Sequence, residues 1–402
     1  MKRKLDVFAL KFVADILSLP IWWMSRFSRR DKNVWIFGAM SGNGYSDNSQ
    51  AIFEYVSANR QDIKAVWITR SASVYESLKR KNLNAAICKT AECRYWCKKA
   101  GYAFFTTSIR DVDNRYINGC RQIWLWHGMT IKTIEHDRKV WISKKVVFKD
   151  FLRNNMPQNR KNPFAVISTA PFFNPMMSSA FQVPAKNVLV SGYPRNDVFF
   201  SRLKNRQIED IDRKFGNPLK ILYMPTFRDS ITDANAGTFN PFGGYGFDEA
   251  KFANLLDDEN IVFMYKGHYA EGKLLNICNN ERFIVLDNTI KSDLYDLVKD
   301  VDVLMTDYSS IYFDFLLTKK PVILVPFDYE DYSQKSRSLY YDYNTHIEGV
   351  KAYNWGEVLD VIINRKYYVV SQATCNKFHL YQDASSSKRI VDKLISIGNG
   401  EL

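Results

Sequence analysis

Two histidines follow apolar runs of the kind that form buried strands. His127 comes directly after Ile123–Trp126, and His268 is the third residue after Ile261–Tyr265. An imidazole can take a proton from a hydroxyl group near neutral pH, so either histidine is a candidate general base. A single histidine is more often bonded into its own loop, and that structural alternative stays open here.

A polar turn follows a third apolar run, Val301–Met305, and leads into an apolar helix. Thr306, Asp307, Ser309 and Ser310 are residues of the type that cap helix N-termini. A helix N-terminus at the carboxyl end of a parallel strand presents unpaired N–H groups and a partial positive charge, and the hydroxyls add donors. This combination favours a phosphate or diphosphate ligand. A capped turn without a ligand is the competing interpretation.

Further polar residues occupy comparable positions after predicted strands. They are Lys132, Arg195, Asp197, Arg228, Asp229 and Lys266, with Asp314 in the helix after the polar turn. No one of these signals is specific. Because the carboxyl ends of parallel strands meet at one edge of a sheet, we expect the loops to converge on one cleft.

Composition narrows the classes of function. The 402 residues are 46% hydrophobic and 25% charged, which is typical of a globular chain of two domains, and the net charge of +13 favours anionic partners. The chain lacks zinc-finger spacing, an aromatic RNA-binding signature and a basic helix with a dimerisation seam, so nucleic acid is not expected. Six scattered cysteines indicate reduced, buried thiols in a cytosolic setting. We predict no metal and no cofactor. Two Asp-x-Asp sequences, at 111–113 and 300–302, have the pattern that some glycosyltransferases use for a metal, and we discount the second because it lies at a strand start, away from the predicted cleft.

Strands and helices are predicted to alternate twice, which favours parallel α/β sheets. Strands are predicted at 34–38, 63–69, 85–87, 102–106, 123–126, 164–168 and 188–191, and then at 219–224, 261–265, 283–286, 301–305 and 322–325. The charged segment Ser201–Pro218 is the best boundary between the two series. We predict a first Rossmann-like domain over residues 31–205, a second over 206–382, and a C-terminal helix within 383–402 that packs back on the first domain.

The first 30 residues predict an amphipathic helix. Phe8, Phe12, Ile16 and Leu19 recur at helical spacing, and basic residues flank the apolar run on both sides. The run is too polar and too short to predict a transmembrane helix. We therefore predict a helix lying on the cytoplasmic membrane face, with Trp22 and Trp23 in the interfacial belt; an ordinary packed helix is the alternative.

Taken in order, these motifs resemble those of the CDP-glycerol glycerophosphotransferase family, which includes teichoic-acid primases and polymerases. The residues that carry the resemblance are His127-Gly128 with Lys132, Gly192 to Asp197, Pro225 to Asp229, His268, and Thr306 to Ser310 with Asp314. The family often has His-Gly-Thr-Pro and His-Pro, whereas this chain has His127-Gly128-Met129-Thr130 and His268-Tyr269. Both imidazoles remain. The differences in the residues that follow them concern the identity of the acceptor.

The resemblance implies a GT-B-like fold of two Rossmann-type domains with a cleft between them, in a peripheral membrane enzyme. It implies transfer of a polyol phosphate, glycerol phosphate first, from a CDP-alcohol to a lipid-linked or glycan hydroxyl, with release of CMP, in teichoic-acid-like or capsular polymer synthesis. His127 and His268 would be catalytic. Arg228, Lys266, Thr306, Ser309 and Ser310 would bind the donor phosphates, with Lys132, Arg195, Asp197, Asp229, Asp307 and Asp314 in support.

Two other functions stay open on the sequence. A glycosyltransferase that uses a nucleotide-sugar would share the fold. A non-catalytic, membrane-docked binder of anionic polymers would share the charge, although such a binder has no need for so many strand-end motifs.

Overall fold

The computed structural model describes residues 2–138, 152, 155–226, 240–267, 277–286, 294–335 and 338–399. The first half contains strands β1 (Asp31–Phe37), β2 (Lys64–Thr69), β3 (Ala85–Ile87), β4 (Ala100–Phe105), β5 (Arg121–Trp124), β6 (Pro163–Ser168) and β7 (Val188–Val190). Its helices are α1 (Lys2–Ser25), α2 (Asp47–Asn59), α3 (Ala72–Arg80), α4 (Ala91–Lys99) and α5 (Asn174–Phe181).

The second half repeats the pattern. Its strands are β8 (Leu219–Met224), β9 (Ile261–Tyr265), β10 (Phe283–Val285), β11 (Val303–Thr306), β12 (Val322–Leu324) and β13 (Val350–Lys351). Its helices are α6 (Arg206–Phe215), α7 (Glu249–Asp258), α8 (Leu294–Val298), α9 (Ile311–Phe315), α10 (Tyr329–Lys335), α11 (Tyr343–His346), α12 (Trp355–Ile363), α13 (Gln372–Phe378) and α14 (Ser386–Asn399).

The strands form two sheets whose neighbours are all parallel. The orders are β3-β2-β1-β4-β5-β6-β7 and β10-β9-β8-β11-β12-β13. The central strands are buried along almost their whole length, as their continuous apolar sequences require when both faces of a sheet are covered. This architecture confirms the predicted α/β, GT-B-like fold with two Rossmann-type halves.

Most strand bounds differ from the prediction by one to three residues, and two of these differences lie next to the candidate site. The strand before His127 ends at Trp124 rather than Trp126, and Trp126 has a left-handed backbone with φ of 56°. The strand before the polar turn begins at Val303 rather than Val301, since the carboxylate of Asp302 accepts a 2.8 Å bond from the backbone N–H of Lys220. Strand β13 has only two residues, too few for a hydropathy pattern to reveal.

Helix α14 lies against the first half although it ends the chain. The hydroxyl of Tyr102 donates to the carbonyl of Leu394 at 3.2 Å, and Arg389 and Lys393 donate to carbonyls of residues 191 and 190, both at 2.9 Å. The polypeptide therefore crosses between the halves twice.

Helix α1 exposes an apolar stripe and packs a side of mixed polar and apolar residues against the first half. Leu10, Val13, Leu17 and Met24 are 71%, 51%, 68% and 67% exposed, and their spacing places them on one stripe. The opposite side carries the buried Ser18, and it is held by the carboxamide of Gln158, which donates to the carbonyl of residue 15 at 2.7 Å.

This orientation corrects the predicted apolar face. Phe12 and Leu19 are half-buried against the protein, while Ile16 is 44% exposed; the side chain of Phe8 lies outside the described residues. The outward stripe is shifted around the helix because Asp15 and the serines of α1 find polar partners on the first half. Among the described residues, no helix has both the length and the apolar character needed to cross a membrane.

Arg30 attaches the end of α1 to the first sheet. Its guanidinium donates to five carbonyl oxygens, those of residues 25, 97, 100, 116 and 118, at 2.6 to 3.2 Å. These carbonyls belong to α1, to the α4–β4 junction and to the segment before β5. One side chain therefore satisfies acceptors from three parts of the chain.

We predict that Arg30→Met lowers the free energy of unfolding by about 3 kcal/mol, because it leaves several buried carbonyls without a donor. Thermal unfolding followed by circular dichroism measures the loss. The neighbouring Arg29 is exposed, so Arg29→Met is the matched control and should leave the melting temperature unchanged. Equal effects of the two substitutions would contradict this role of Arg30.

Candidate active site

One cavity of ≈ 440 Å³ lies between the two halves, at the carboxyl ends of the strands. The first half contributes Thr107, Trp126, His127, Gly128, Met129, Thr130, Lys132, Ile134, Glu135 and Arg138, and the second half contributes Pro225, Thr226, Tyr308, Ser309 and Ser310. Four of the predicted site residues, His127, Lys132, Ser309 and Ser310, therefore share one space. The cavity is large enough for a small phosphorylated ligand.

His127 has the geometry of a general base. Its Nδ1 lies 3.3 Å from the carbonyl oxygen of Thr106, an acceptor that fixes the proton on Nδ1 and leaves Nε2 with its lone pair. The side chain of His127 is exposed towards the cavity, while protein atoms pack around the rest of the ring. This partial desolvation lowers the pKa of His127 below its ordinary 6.5, against the opposing effect of Asp47. The neutral, proton-accepting form therefore prevails at neutral pH.

The residue after His127 has to be glycine. Gly128 has φ of 150°, and a Cβ at that position would lie 2.7 Å from the Cβ of Ser310 and closer still to its hydroxyl. The His127 loop and the polar turn of the second half are thus in direct contact. Any side chain at position 128 would push the two halves of the cavity apart.

Ser309 and Ser310 reach the cavity because neither caps α9 in the expected way. Ser310 has helical dihedrals, φ −64° and ψ −16°, and its hydroxyl makes no capping bond. The predicted hydroxyl capping at this position is wrong, because a residue already in the helical region aims its side chain away from the following N–H groups. Both hydroxyls lie on the cavity wall facing the His127 loop.

Thr306 and Asp307 hold the turn in place. The hydroxyl of the fully buried Thr306 donates to the carbonyl of Met224 at 2.7 Å. A carboxylate oxygen of Asp307 accepts from the backbone N–H groups of Thr226 and Tyr308 at 2.8 and 2.6 Å. Neither lines the cavity, so the phosphate contact predicted for Thr306 is replaced by a bond to the neighbouring strand end.

Arg195 and Asp314 form a buried ion pair between the halves. One guanidinium nitrogen of Arg195 lies 2.6 Å from Asp314, and the other lies 2.8 Å from Asp47 and 3.0 Å from the carbonyl oxygen of His127. Tyr295 donates to the same Asp314 oxygen at 3.3 Å. Burial opposes the charge, yet Asp314 and Asp47 raise the pKa of Arg195 well above its ordinary value. Arg195 therefore supports the His127 loop from behind.

Asp197 lies away from the cavity. Its carboxylate accepts from the backbone N–H groups of Ser386 and Ser387 at 2.9 and 3.1 Å, at the first turn of α14. Burial raises the pKa of this carboxyl, and the bonds from the serines partly offset that effect. Asp197 thus fastens the last helix to the first half.

Four predicted site residues lie at the edge of, or beyond, the described structure. Lys266 is partly buried and its backbone N–H donates to the carbonyl of Tyr223 at 2.9 Å. Arg228, Asp229 and His268 lie outside the described residues. Thr226, which comes shortly before Arg228, does line the cavity.

The sequence analysis missed several residues of this site, Asp47 and Tyr295 above all. Asp47 begins α2, and an acidic residue at a helix start that follows a strand lies at the same edge of the sheet as the ligand loops. Its left-handed φ of 66° marks it in the structure. Nothing in the sequence near Tyr295 pointed to the site.

Among the described residues, three potential metal ligands approach one another in a single buried group of Cys88, Cys93 and Asp113. Arg70 lies 3.2 Å from the sulfur of Cys88, and Arg115 binds Asp113 at 2.7 Å. Two arginine side chains, Arg70 and Arg115, therefore already contact two of the three potential ligands. Asp111 accepts backbone bonds from residues 41, 106, 107 and 108, which makes it a loop organiser.

Comparison with known proteins gives a consistent result. The sequence model for "CDP-Glycerol:Poly(glycerophosphate) glycerophosphotransferase" matches residues 21–396. The teichoic acid poly(glycerol phosphate) polymerase of Bacillus spizizenii is 27% identical over 413 residues, covering 98% of this chain and 100% of that protein. The teichoic acid glycerol-phosphate transferase of Staphylococcus aureus is 26% identical over 375 residues, covering 90% and 92%.

A solved structure of the wall teichoic acid polymerase TagF superimposes with a TM-score of 0.72 at 21% identity, covering 100% of both chains. At that identity the superposition supports the fold. The sequence-model match spans nearly the whole chain and confirms the resemblance predicted from the ordered motifs. The chain belongs to the CDP-glycerol:poly(glycerophosphate) glycerophosphotransferase family.

Proposed function

We propose that this protein transfers glycerol phosphate from CDP-glycerol to a hydroxyl group of a lipid-linked or glycan acceptor and releases CMP. The observation that carries the proposal is the shared cavity, in which His127 of one half faces Ser309 and Ser310 of the other. Family membership supplies the reaction class. The relatives named above act in teichoic acid synthesis, and we propose a related cell-surface polymer as the product here.

In the proposed reaction, Nε2 of His127 accepts the proton of the acceptor hydroxyl. The acceptor oxygen forms a bond to the phosphorus that carries glycerol, and the phosphoanhydride bond to CMP breaks, with the electron pair leaving on CMP. Ser309 and Ser310 donate to phosphate oxygens. Such reactions need positioning and charge neutralisation more than covalent help from the protein.

Cations around the cavity would stabilise the negative charge that develops on the leaving phosphate. Lys132 and Arg138 line its first-half wall. Lys266 follows β9, and we propose that Arg228 and His268 complete the donor site, as their family motifs imply. Arg195 and Asp314 would act through the His127 loop, which they hold, and not on the substrate.

The exposed stripe of α1 supports a peripheral position at the cytoplasmic membrane face. Leu10, Val13, Leu17 and Met24 together expose more apolar surface than a solvated helix normally would, and basic residues at both ends of α1 suit anionic headgroups. A membrane-bound enzyme would meet a lipid-linked acceptor without a search through solution. We propose that α1 provides this contact.

The donor is tested by incubating the purified chain with CDP-glycerol, CDP-ribitol or a UDP-sugar and measuring the nucleotide released. We expect CMP from CDP-glycerol, in amounts that depend on added acceptor. Release of UDP from the sugar nucleotide alone would support the glycosyltransferase alternative, and absence of turnover with all three donors would support a non-catalytic binder.

His127→Ala should lower kcat roughly 10²–10⁴-fold, the usual contribution of a general base. The exposed His136, which does not line the cavity, provides the matched control His136→Ala. Steady-state CMP release with a soluble acceptor measures both variants. Near-normal turnover of His127→Ala would refute the assignment of the base.

The pH profile gives the same residue a second readout. Protonation of His127 abolishes its function as a base, so kcat/KM of the native chain should fall as the pH drops. Because the surrounding protein lowers the pKa of this imidazole, the fall should have its midpoint below 6.5. The residual activity of His127→Ala should lack this acidic limb.

The membrane contact is tested with Leu17→Glu combined with Met24→Glu. Each side chain should contribute about 1.5–3 kcal/mol when it leaves water, so the double variant should bind vesicles at least about 10²-fold more weakly. Leu203→Glu is the control, since Leu203 is 79% exposed outside α1. Turnover with a soluble acceptor should be unchanged, and equal vesicle binding by all variants would exclude α1 as the anchor.

A further inference from the structure

A second cavity, of ≈ 350 Å³, lies beside α1 and is separate from the catalytic cleft. Trp22 and Arg26 of α1 form one wall, and Arg121, Arg160 and Phe164 of the first half form the other. Arg121 begins β5, and the cavity also includes Pro163, which begins β6. It therefore lies at the amino ends of these strands, the edge of the sheet opposite the one that holds His127.

The cavity is strongly cationic. Among the described residues, its walls contain three arginines and no acidic residue. Arg26, Arg121 and Arg160 are exposed, and none of them forms an ion pair within the part of the chain that the structure describes. This sets them apart from Arg195 and Arg115, which are paired with carboxylates. Three guanidinium groups without counter-charges make a binding site for an anion.

Arg121 is already held in position. Its guanidinium donates to the hydroxyl of Tyr102 at 2.8 Å and lies over the ring of Phe164, 4.7 Å from the centroid. An arginine fixed in this way loses little conformational entropy when an anion binds. Planar, multidentate donors of this kind match the oxygens of a phosphate group.

The mouth of the cavity is next to the apolar stripe of α1. Trp23, Met24 and Phe27 are 61%, 67% and 73% exposed, whereas Trp22 and Arg26, on the same turns of the chain, line the cavity. If the stripe enters the acyl region of a bilayer, the guanidinium groups lie at the level of the headgroups. The positive charge of the cavity and its position beside the apolar stripe favour an anionic group at the membrane surface as its ligand.

We propose that this cavity binds the headgroup phosphate of an anionic phospholipid such as phosphatidylglycerol, and thereby fixes the orientation of the enzyme on the membrane. The inference rests on the proposed membrane contact of α1 but not on the identity of the transferred group. The apolar stripe supplies attachment to any bilayer, and the three arginines supply the preference for anionic lipid.

The test compares vesicles of phosphatidylcholine alone with vesicles that also contain phosphatidylglycerol, using cosedimentation of the full chain. We expect the native protein to prefer the anionic vesicles and the preference to weaken as salt increases. A basic residue near an anionic surface contributes about 1 kcal/mol, so each of Arg26→Gln, Arg121→Gln and Arg160→Gln should weaken anionic binding roughly fivefold. The triple variant should bind both kinds of vesicle equally.

Two matched variants control for charge and folding. Arg80→Gln removes one exposed positive charge from α3, outside the cavity, and should keep the preference. Replacement of all three cavity arginines by lysine keeps the charge and should retain most of it. An unchanged circular dichroism spectrum and normal CMP release with a soluble acceptor show that the glutamine variant is folded.

The remaining outcomes overturn the proposal in distinguishable ways. Equal binding of the native chain to both vesicles would leave the α1 anchor in place and remove the headgroup site. Failure to bind any vesicle would remove both, while CMP release from CDP-glycerol would still test the transferase function. Competition by soluble poly(glycerol phosphate), lost in the triple variant, would assign the cavity to the polymer instead of to lipid.

Discussion

The buried ion pair between Arg195 and Asp314 is the contact on which the geometry of the cleft depends. Both side chains are almost completely removed from water, and their pairing is supported by Asp47, Asn196 and Tyr295. A buried charge that loses its partner typically costs about 3–5 kcal/mol, so each half of the molecule requires the other in this position. The same guanidinium donates to the carbonyl of His127. The pair that joins the halves thus also holds the loop that carries the proposed base, His127.

A second set of contacts restrains the same loop from the other side. The backbone N–H of Tyr340 donates to the carbonyl of Ile131 at 2.8 Å, and that of Thr133 donates to the carbonyl of Ser338 at 2.8 Å. A short antiparallel bridge joins Lys132 to Leu339. Residues 131–133 follow His127 closely in sequence, so the second half encloses the His127 loop at both of its ends. If His127 is the base, as proposed, these contacts hold it in the cavity that Ser309 and Ser310 also line, as positioning catalysis requires.

The first half has distinct surface features at two opposite edges of its sheet. At the carboxyl ends of its strands, His127 and Lys132 line a polar cleft. Beside α1, an apolar stripe adjoins a cavity with three arginines. Helix α1 departs from the usual amphipathic arrangement, because Ser18 and Ser25 are buried while Leu17 on the other side is exposed. An outward apolar face of that kind costs solvation free energy unless another phase covers it.

Local pattern was enough to predict much of this molecule from the sequence. Parallel strands buried on both faces are continuous apolar runs, so β8 and β9 were predicted to the residue, and the polar strand ends that followed them identified the candidate site. The family could be predicted for a similar reason, because its motifs are short stretches of sequence that occur in a fixed order along the chain.

What the sequence could not determine were relations between residues far apart in the chain. Arg195 meets Asp47 within the first half and Asp314 only across the two halves, and the outward side of α1 depends on which neighbours its serines and Asp15 find. The sequence by itself determined the elements, the loops that bear chemistry and the family, because these depend on short-range pattern. Only the tertiary structure decided which of those polar side chains face the ligand and which bind the protein, because burial and pairing are properties of the assembled surfaces.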